Sequence, residues 1–112
     1  MILTSYFGRR KLKSSGLTPV AISLVVPKSF HGKRYMALTP TKHMADLLLE
    51  GNTDKFLQLY TTEILAWLDP VKVYEELDGC ALLSTEKSGA FSHRRLVAEW
   101  LEKGTGKKVN EL

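Results

Sequence analysis

Apolar positions along this chain follow two different periods. Met1 to Phe7 and Pro19 to Val26 are short apolar or β-branched runs closed by a glycine or a proline, and they predict strands. Between Thr39 and Gly79 the period becomes helical. Thr39-Pro40 is a helix-start signal, Met44, Leu47 and Leu48 form an inward face, and Gly51 is a stop. Asn52 is a cap for a second helix whose face is Phe56, Leu57, Tyr60, Ile64, Leu65 and Leu68, with Leu59 and Trp67 at its edges. Asp69-Pro70 starts a third, short helix through Val71, Val73, Tyr74 and Leu77. The aromatic residues sit at helical spacing without interleaved cations, which assigns them to the core rather than to a base-stacking platform.

The most informative stretch is Gly79 to Leu101. Cys80 to Thr85 is a strand with apolar residues on both faces, as in a covered parallel sheet. A polar loop follows, and Ser92 caps a helix with its stripe on Leu96, Val97, Trp100 and Leu101. His93, Arg94 and Arg95 occupy the first turn of that helix, where cations are unfavourable by about 0.3–1 kcal/mol each. An anionic ligand on the free N–H groups would compensate, and so would water or pairing with Glu86, Glu99 or Glu102.

The fold class expected is α/β: a small three-layer-like, Rossmann-like sandwich of about three mostly parallel strands flanked by about four helices, in a single domain over 1–112. The long helical connection between the second and third strands implies a right-handed crossover. Gly8 to Gly16 is a basic loop, short for a parallel crossover, so the first two strands are expected to be non-adjacent or not parallel. Lys28 to Thr39 reads as loop, and residues 104–112 as a polar C-terminal tail with a brief extended piece at Val109.

Glu86-Lys87, four residues, then Ser92-His93-Arg94-Arg95-Leu-Val-Ala-Glu-Trp-Leu resembles the signature of the domain of unknown function 488 family, whose members carry Cys-x-Glu-Lys and, after a gap, Cys-His-Arg. Thr4-Ser5-Tyr6-Phe7, Pro19-Val-Ala-Ile-Ser23 and Arg34-Tyr-x-x-Leu38 are similar to it too, so the resemblance covers nearly the whole chain. It implies a fold, a polar site and a prokaryotic or phage origin, but no established reaction. Ser84 and Ser92 stand where the family has cysteine, so family thiol chemistry does not carry over.

Charge sharpens the picture. Residues 1–43 hold eight Lys or Arg and no acid; residues 44–112 hold the other eight and all twelve acids. The net +4 therefore divides into +8 and −4, an asymmetry that suggests an anionic small-molecule ligand or nucleic acid unless the two parts neutralise each other in the fold. No DNA- or RNA-reading signature accompanies the basic residues, which leaves weak electrostatic binding through Arg9, Arg10, Lys11, Lys13, Lys33 and Arg34. The single cysteine, Cys80, fits a reducing compartment, and with neither a leader-like start nor a membrane-length apolar run a cytoplasmic protein is expected.

The candidate ligand site is Ser5, Tyr6, Arg34, Glu86, Lys87, Ser92, His93 and Arg94, binding a nucleotide or nucleotide derivative at the third-strand loop and the following helix N-terminus. His93 and Glu86 are the candidate acid–base pair should there be turnover. A serine hydrolase is disfavoured, because Ser92 and His93 point about 100° apart on a helix turn and no GxSxG is present. Neither GxGxxG nor GxxxxGK[ST] occurs, no metal-ligand spacing links His31, His43 and His93, and no cofactor is expected.

Overall fold

A computed structural model of the chain describes residues 1–86 and 91–112. The fold is α/β, as expected, with five strands in one all-parallel sheet among the described residues. Chain order gives β1 (Leu3–Tyr6), β2 (Thr18–Ala21), β3 (Lys33–Arg34), α1 (Lys42–Leu49), α2 (Thr53–Glu63), α3 (Pro70–Leu77), β4 (Cys80–Ser84), α4 (His93–Thr105) and β5 (Asn110–Glu111). The sheet order is β3-β2-β4-β1-β5. β1 and β2 are thus non-adjacent, both parallel to β4 between them. Their basic connection, with a single 3-10 turn at Arg10–Leu12, spans the end of β4.

Three segments depart from the sequence reading. The expected strand to Val26 leaves the sheet after Ala21: Ser23 Oγ donates to the Val25 carbonyl, and Arg34 Nη2 donates to the carbonyls of Ser23 and Leu24. Local bonds at this turn replace ladder bonds. The expected Lys28–Thr39 loop contains the two-residue edge strand β3. The residues read as a polar tail do not stand apart from the domain. α4 runs to Thr105, and Gly106 at φ 72° ends it by donating to the Glu102 carbonyl. The Glu102 carboxylate then accepts from the Val109 N–H, Val109 is fully buried, and β5 pairs with β1. The brief extended piece expected at Val109 is thus realised one residue later, as β5.

The helix caps follow the sequence closely. Asn52, Asp69 and Ser92 each accept a backbone N–H with their side chains. α1 is capped by Thr41 rather than Thr39, whose hydroxyl bonds back to the Tyr35 carbonyl.

Side-chain alternation divides the sheet into two unlike faces. The main core draws Ile2, Val20, Ile22 and Leu82 from one face and packs them with Met44, Leu47, Phe56, Tyr60, Val73, Leu77, Val97 and Leu101, so all four helices cover that side. The connections β3 to β4 and β4 to β5 run in the same direction across the sheet, which with right-handed crossovers places both on one face. On the opposite face the in-register positions Ser5 and Leu83, and Ala21 beside them, are also buried. The Gly8–Leu17 connection and the Phe7–Phe30 aromatic pair, with ring centroids 5.1 Å apart, lie on this side. The third layer is therefore loop rather than helix.

Gly104 lies where α4 meets the first turn of α3, and a Cβ there would overlap the Pro70 ring. Gly104→Ala should cost about 1–3 kcal/mol through overpacking, despite alanine's better helix propensity. Denaturant unfolding tests this; a variant as stable as the parent would show that the α3–α4 contact yields freely.

Candidate functional site

The C-terminal end of β4 is where the sequence-predicted residues gather. β1 exits toward the loop-covered face and β4 toward the helices, so the crevice between their ends is the switch point at which open α/β sheets bind ligands. The Phe7 N–H still donates to the Ser84 carbonyl at 3.3 Å, which holds the two exits side by side.

Arg94 is the centre of this region and is only 1% exposed. Its Nε reaches the two Glu111 carboxylate oxygens at 3.1 and 3.2 Å, and its Nη2 donates to Glu111 Oε2 at 2.7 Å. Its Nη1 donates to Ser84 Oγ at 2.8 Å, to Ser92 Oγ at 3.0 Å and to the Glu86 carbonyl. Ser84 and Ser92 are bonded to each other at 2.8 Å. Thr4 donates to the same Glu111 carboxylate and accepts from Arg95 Nη1 at 2.8 Å; Arg95 also donates to the Val109 carbonyl. The compensating anion in the first turn of α4 is thus Glu111, an acid absent from the candidates Glu86, Glu99 and Glu102. Burial pushes the Glu111 carboxyl up, but the Arg94 and Thr4 hydrogen bonds and the two guanidinium charges outweigh it and hold it below the usual range.

His93 faces a different environment. It is buried against Phe56 and Tyr60, with ring centroids 6.3 and 5.5 Å away, and its Nε2 lies 2.8 Å from the Ile22 carbonyl. A carbonyl only accepts, so Nε2 carries the proton and Nδ1 is the acceptor of the neutral ring. Burial drives the His93 pKa down against that bond and the nearby Glu86 charge. His93 and Glu86 line one cavity of about 570 Å³ together with Leu48, Leu49 and Phe91. The two proposed acid–base residues are therefore brought together, whereas Ser92 is engaged with Ser84 and Arg94.

The remaining candidates are dispersed. Ser5 is buried on the loop-covered side, its Oγ without a hydrogen-bond partner among the described residues. Tyr6 lies at the end of β1 with the Arg9 guanidinium 6.0 Å from its ring centre. Arg34 is exposed and holds the turn after β2. Lys87 lies outside the described residues.

A second, larger cavity of about 810 Å³ was not anticipated as a unit. It lies between the β1–β2 connection and the sheet and is lined by Phe7, Arg9, Arg10, Lys13, Phe30 and Leu83, among others. Of the lining residues, Arg9 has its Nε buried with no hydrogen-bond partner among the described residues. The run of cations in Gly8–Gly16 was its only sequence signal; the partnering of Phe7 with Phe30 had none. No group of His, Cys, Asp and Glu suited to a metal occurs among the described residues, and none of their helices is long and apolar enough to cross a membrane.

No family model, curated protein or solved structure matches this chain.

Two outcomes follow from the buried groups. Arg94→Ala should destabilise the fold by roughly 2–4 kcal/mol, moderated because the Glu111 side chain retains 22% exposure, and Arg94→Lys should recover little because ammonium cannot reproduce the forked contacts. Equal stability of the lysine variant and the parent in denaturant would refute this role. For His93 the unfolded value lies near 6.5 and the folded one lower, so the unfolded state binds the extra proton between them. Stability should be level above about pH 6.5 and fall as pH drops below it; His93→Gln should abolish that fall in melting curves taken between pH 8 and 5.

Proposed function

We propose that this protein binds a phosphorylated small molecule with a flat apolar body, a nucleotide or nucleotide derivative, in the cavity beneath the β1–β2 connection. The observation that carries this reading is the composition of that lining. Arg9, Arg10 and Lys13 converge with the Phe7–Phe30 pair, and no acidic residue lines the cavity among the described residues. Its volume is in the range of ligand pockets for small molecules. An unpartnered buried guanidinium nitrogen is costly until an anion satisfies it, and arginine suits phosphate through paired N–H bonds. The rings offer a flat body apolar and edge-on contact.

This reading moves the anion from the first turn of α4 to the β1–β2 connection. Arg94 is committed to Glu111, Ser84 and Ser92 and would have to abandon them to hold a phosphate. The ligand class expected from the basic N-terminal part is retained. The family resemblance noted in the sequence is compatible with this reading and adds no reaction to it. His93 and Glu86 line the other cavity, so binding here gives them no part in turnover.

The test is calorimetric titration with nucleoside mono- and diphosphates, the matching nucleosides, inorganic phosphate and a short oligonucleotide. A phosphorylated nucleoside should bind at least about tenfold more tightly than its nucleoside, and Arg9→Ala should weaken it by roughly ten- to a hundredfold. Arg34→Ala should leave it unchanged. Unaltered affinity in Arg9→Ala, or no binding by any phosphorylated compound, would refute the site. Tight oligonucleotide binding that collapses with salt would instead favour a nucleic-acid partner for the same basic surface.

A further inference from the structure

The 570 Å³ cavity on the helix side of β4 has the opposite character. Its walls are largely apolar, with Leu24, Val25, Pro40, Ala45, Leu48 and Leu49 contributing, and Phe91 stands at its edge, 40% exposed. Its polar groups are the Thr53 and Thr85 hydroxyls, the Glu86 carboxylate and the His93 ring. Glu86 Oε2 takes a hydrogen bond from Thr85 Oγ1 at 2.6 Å, while Oε1 is buried with no partner among the described residues. His93 is neutral, and its Nε2 proton is committed to the Ile22 carbonyl. No Lys or Arg lines the cavity among the described residues. A carboxylate oxygen buried beside apolar walls without a donor is costly, and the cheapest remedy is a ligand that brings a charged donor with it.

We propose that this cavity is a second binding site, for a small apolar amine. Its ammonium group sits on Glu86 Oε1, and its hydrocarbon or aromatic body lies along Leu48, Leu49 and Val25. The carboxylate repels an anion, and a neutral alcohol can donate to it but brings no positive charge to pair with it. Phe91 contributes an aromatic surface at the mouth, against which a cation or a ring is favourable. The lining shares no residue with the Arg9 cavity, so the two sites are independent claims.

The probes are n-hexylamine, n-hexanol and n-hexanoate, titrated into isotopically labelled protein at pH 7 and followed by amide chemical-shift changes at millimolar concentrations. The amine is an ammonium ion at this pH, as a lysine side chain is. Hexylamine should bind about tenfold or more tightly than hexanol, hexanoate should bind least, and the shifted amides should belong to α1, Thr85 and His93. Glu86→Gln should bring the amine down to the level of the alcohol while leaving the alcohol unchanged, and Leu48→Trp should exclude both. Amine and alcohol binding equally, an amine preference that survives Glu86→Gln, or no binding by any of the three would overturn the proposal. Should Glu86→Gln fail to fold, the comparison of amine with alcohol on the parent protein decides by itself. None of these readings depends on Arg9, so failure here leaves the phosphate site standing, and the reverse holds too.

Discussion

The buried pair between Arg94 and Glu111 joins three parts of the fold that the chain visits separately. A guanidinium at 1% exposure is tolerable only when its N–H groups are occupied, because desolvating an unpaired ion costs several kcal/mol. Here the fork grips the β5 carboxylate on one side and Ser84, Ser92 and the Glu86 carbonyl on the other. One side chain thereby ties the end of β4, the cap of α4 and the edge strand β5 into a single polar knot. β5 forms only two register pairs with β1, too little ladder to hold an edge strand firmly by itself. The side-chain contacts to Glu111 and the burial of Val109 supply what the ladder lacks.

The two cavities lie on opposite sides of the sheet. Leu83 lines the basic one and Thr85 and Glu86 line the other, so neighbouring residues at the end of β4 serve both. Four of the eight cations of residues 1–43, Arg9, Arg10, Lys11 and Lys13, follow the same division, because the β1–β2 connection that carries them crosses on the side away from the helices. A parallel sheet permits this because its connections must leave from strand ends and choose a face.

Elements with strong local signals were legible in the sequence. Asn52, Asp69-Pro70 and Ser92 each announce a helix start through a side chain that caps its own backbone, and all three do so. β4 was legible as a buried run, and the helical stripes correctly supplied Phe56, Tyr60, Val73, Leu77, Val97 and Leu101 to the core. What escaped depends on partners distant in sequence. β3 is two residues long and exists only because β2 offers it an edge, and the brief extended piece expected at Val109 carried no sign of its pairing with β1. The early end of β2 is set by Arg34 reaching back to the Ser23 and Leu24 carbonyls, which no window over residues 19–26 contains. The basic loop was recognisable as an anion contact, but its roof of Phe7 and Phe30 required knowing that β1 and the loop after β2 share a face.

The first turn of α4 shows where sequence logic stops and why. Two arginines at a positive helix end break a local rule, and a broken rule signals a compensating negative charge. It does not say whether that charge belongs to a ligand or to the chain, because a carboxylate and a phosphate offer a guanidinium the same forked geometry. Nearness in sequence favoured Glu86, Glu99 and Glu102. Yet Glu86 gives Arg94 its backbone carbonyl and keeps its carboxylate for the other cavity, and Glu102 spends its own on the Val109 N–H. The Glu102 bond turns the chain after α4 back toward β1, and so brings Glu111 to Arg94. The acid nearest in space was thus fixed by what the nearer acids in sequence were already doing, a consequence of the whole packing and not of any one stretch.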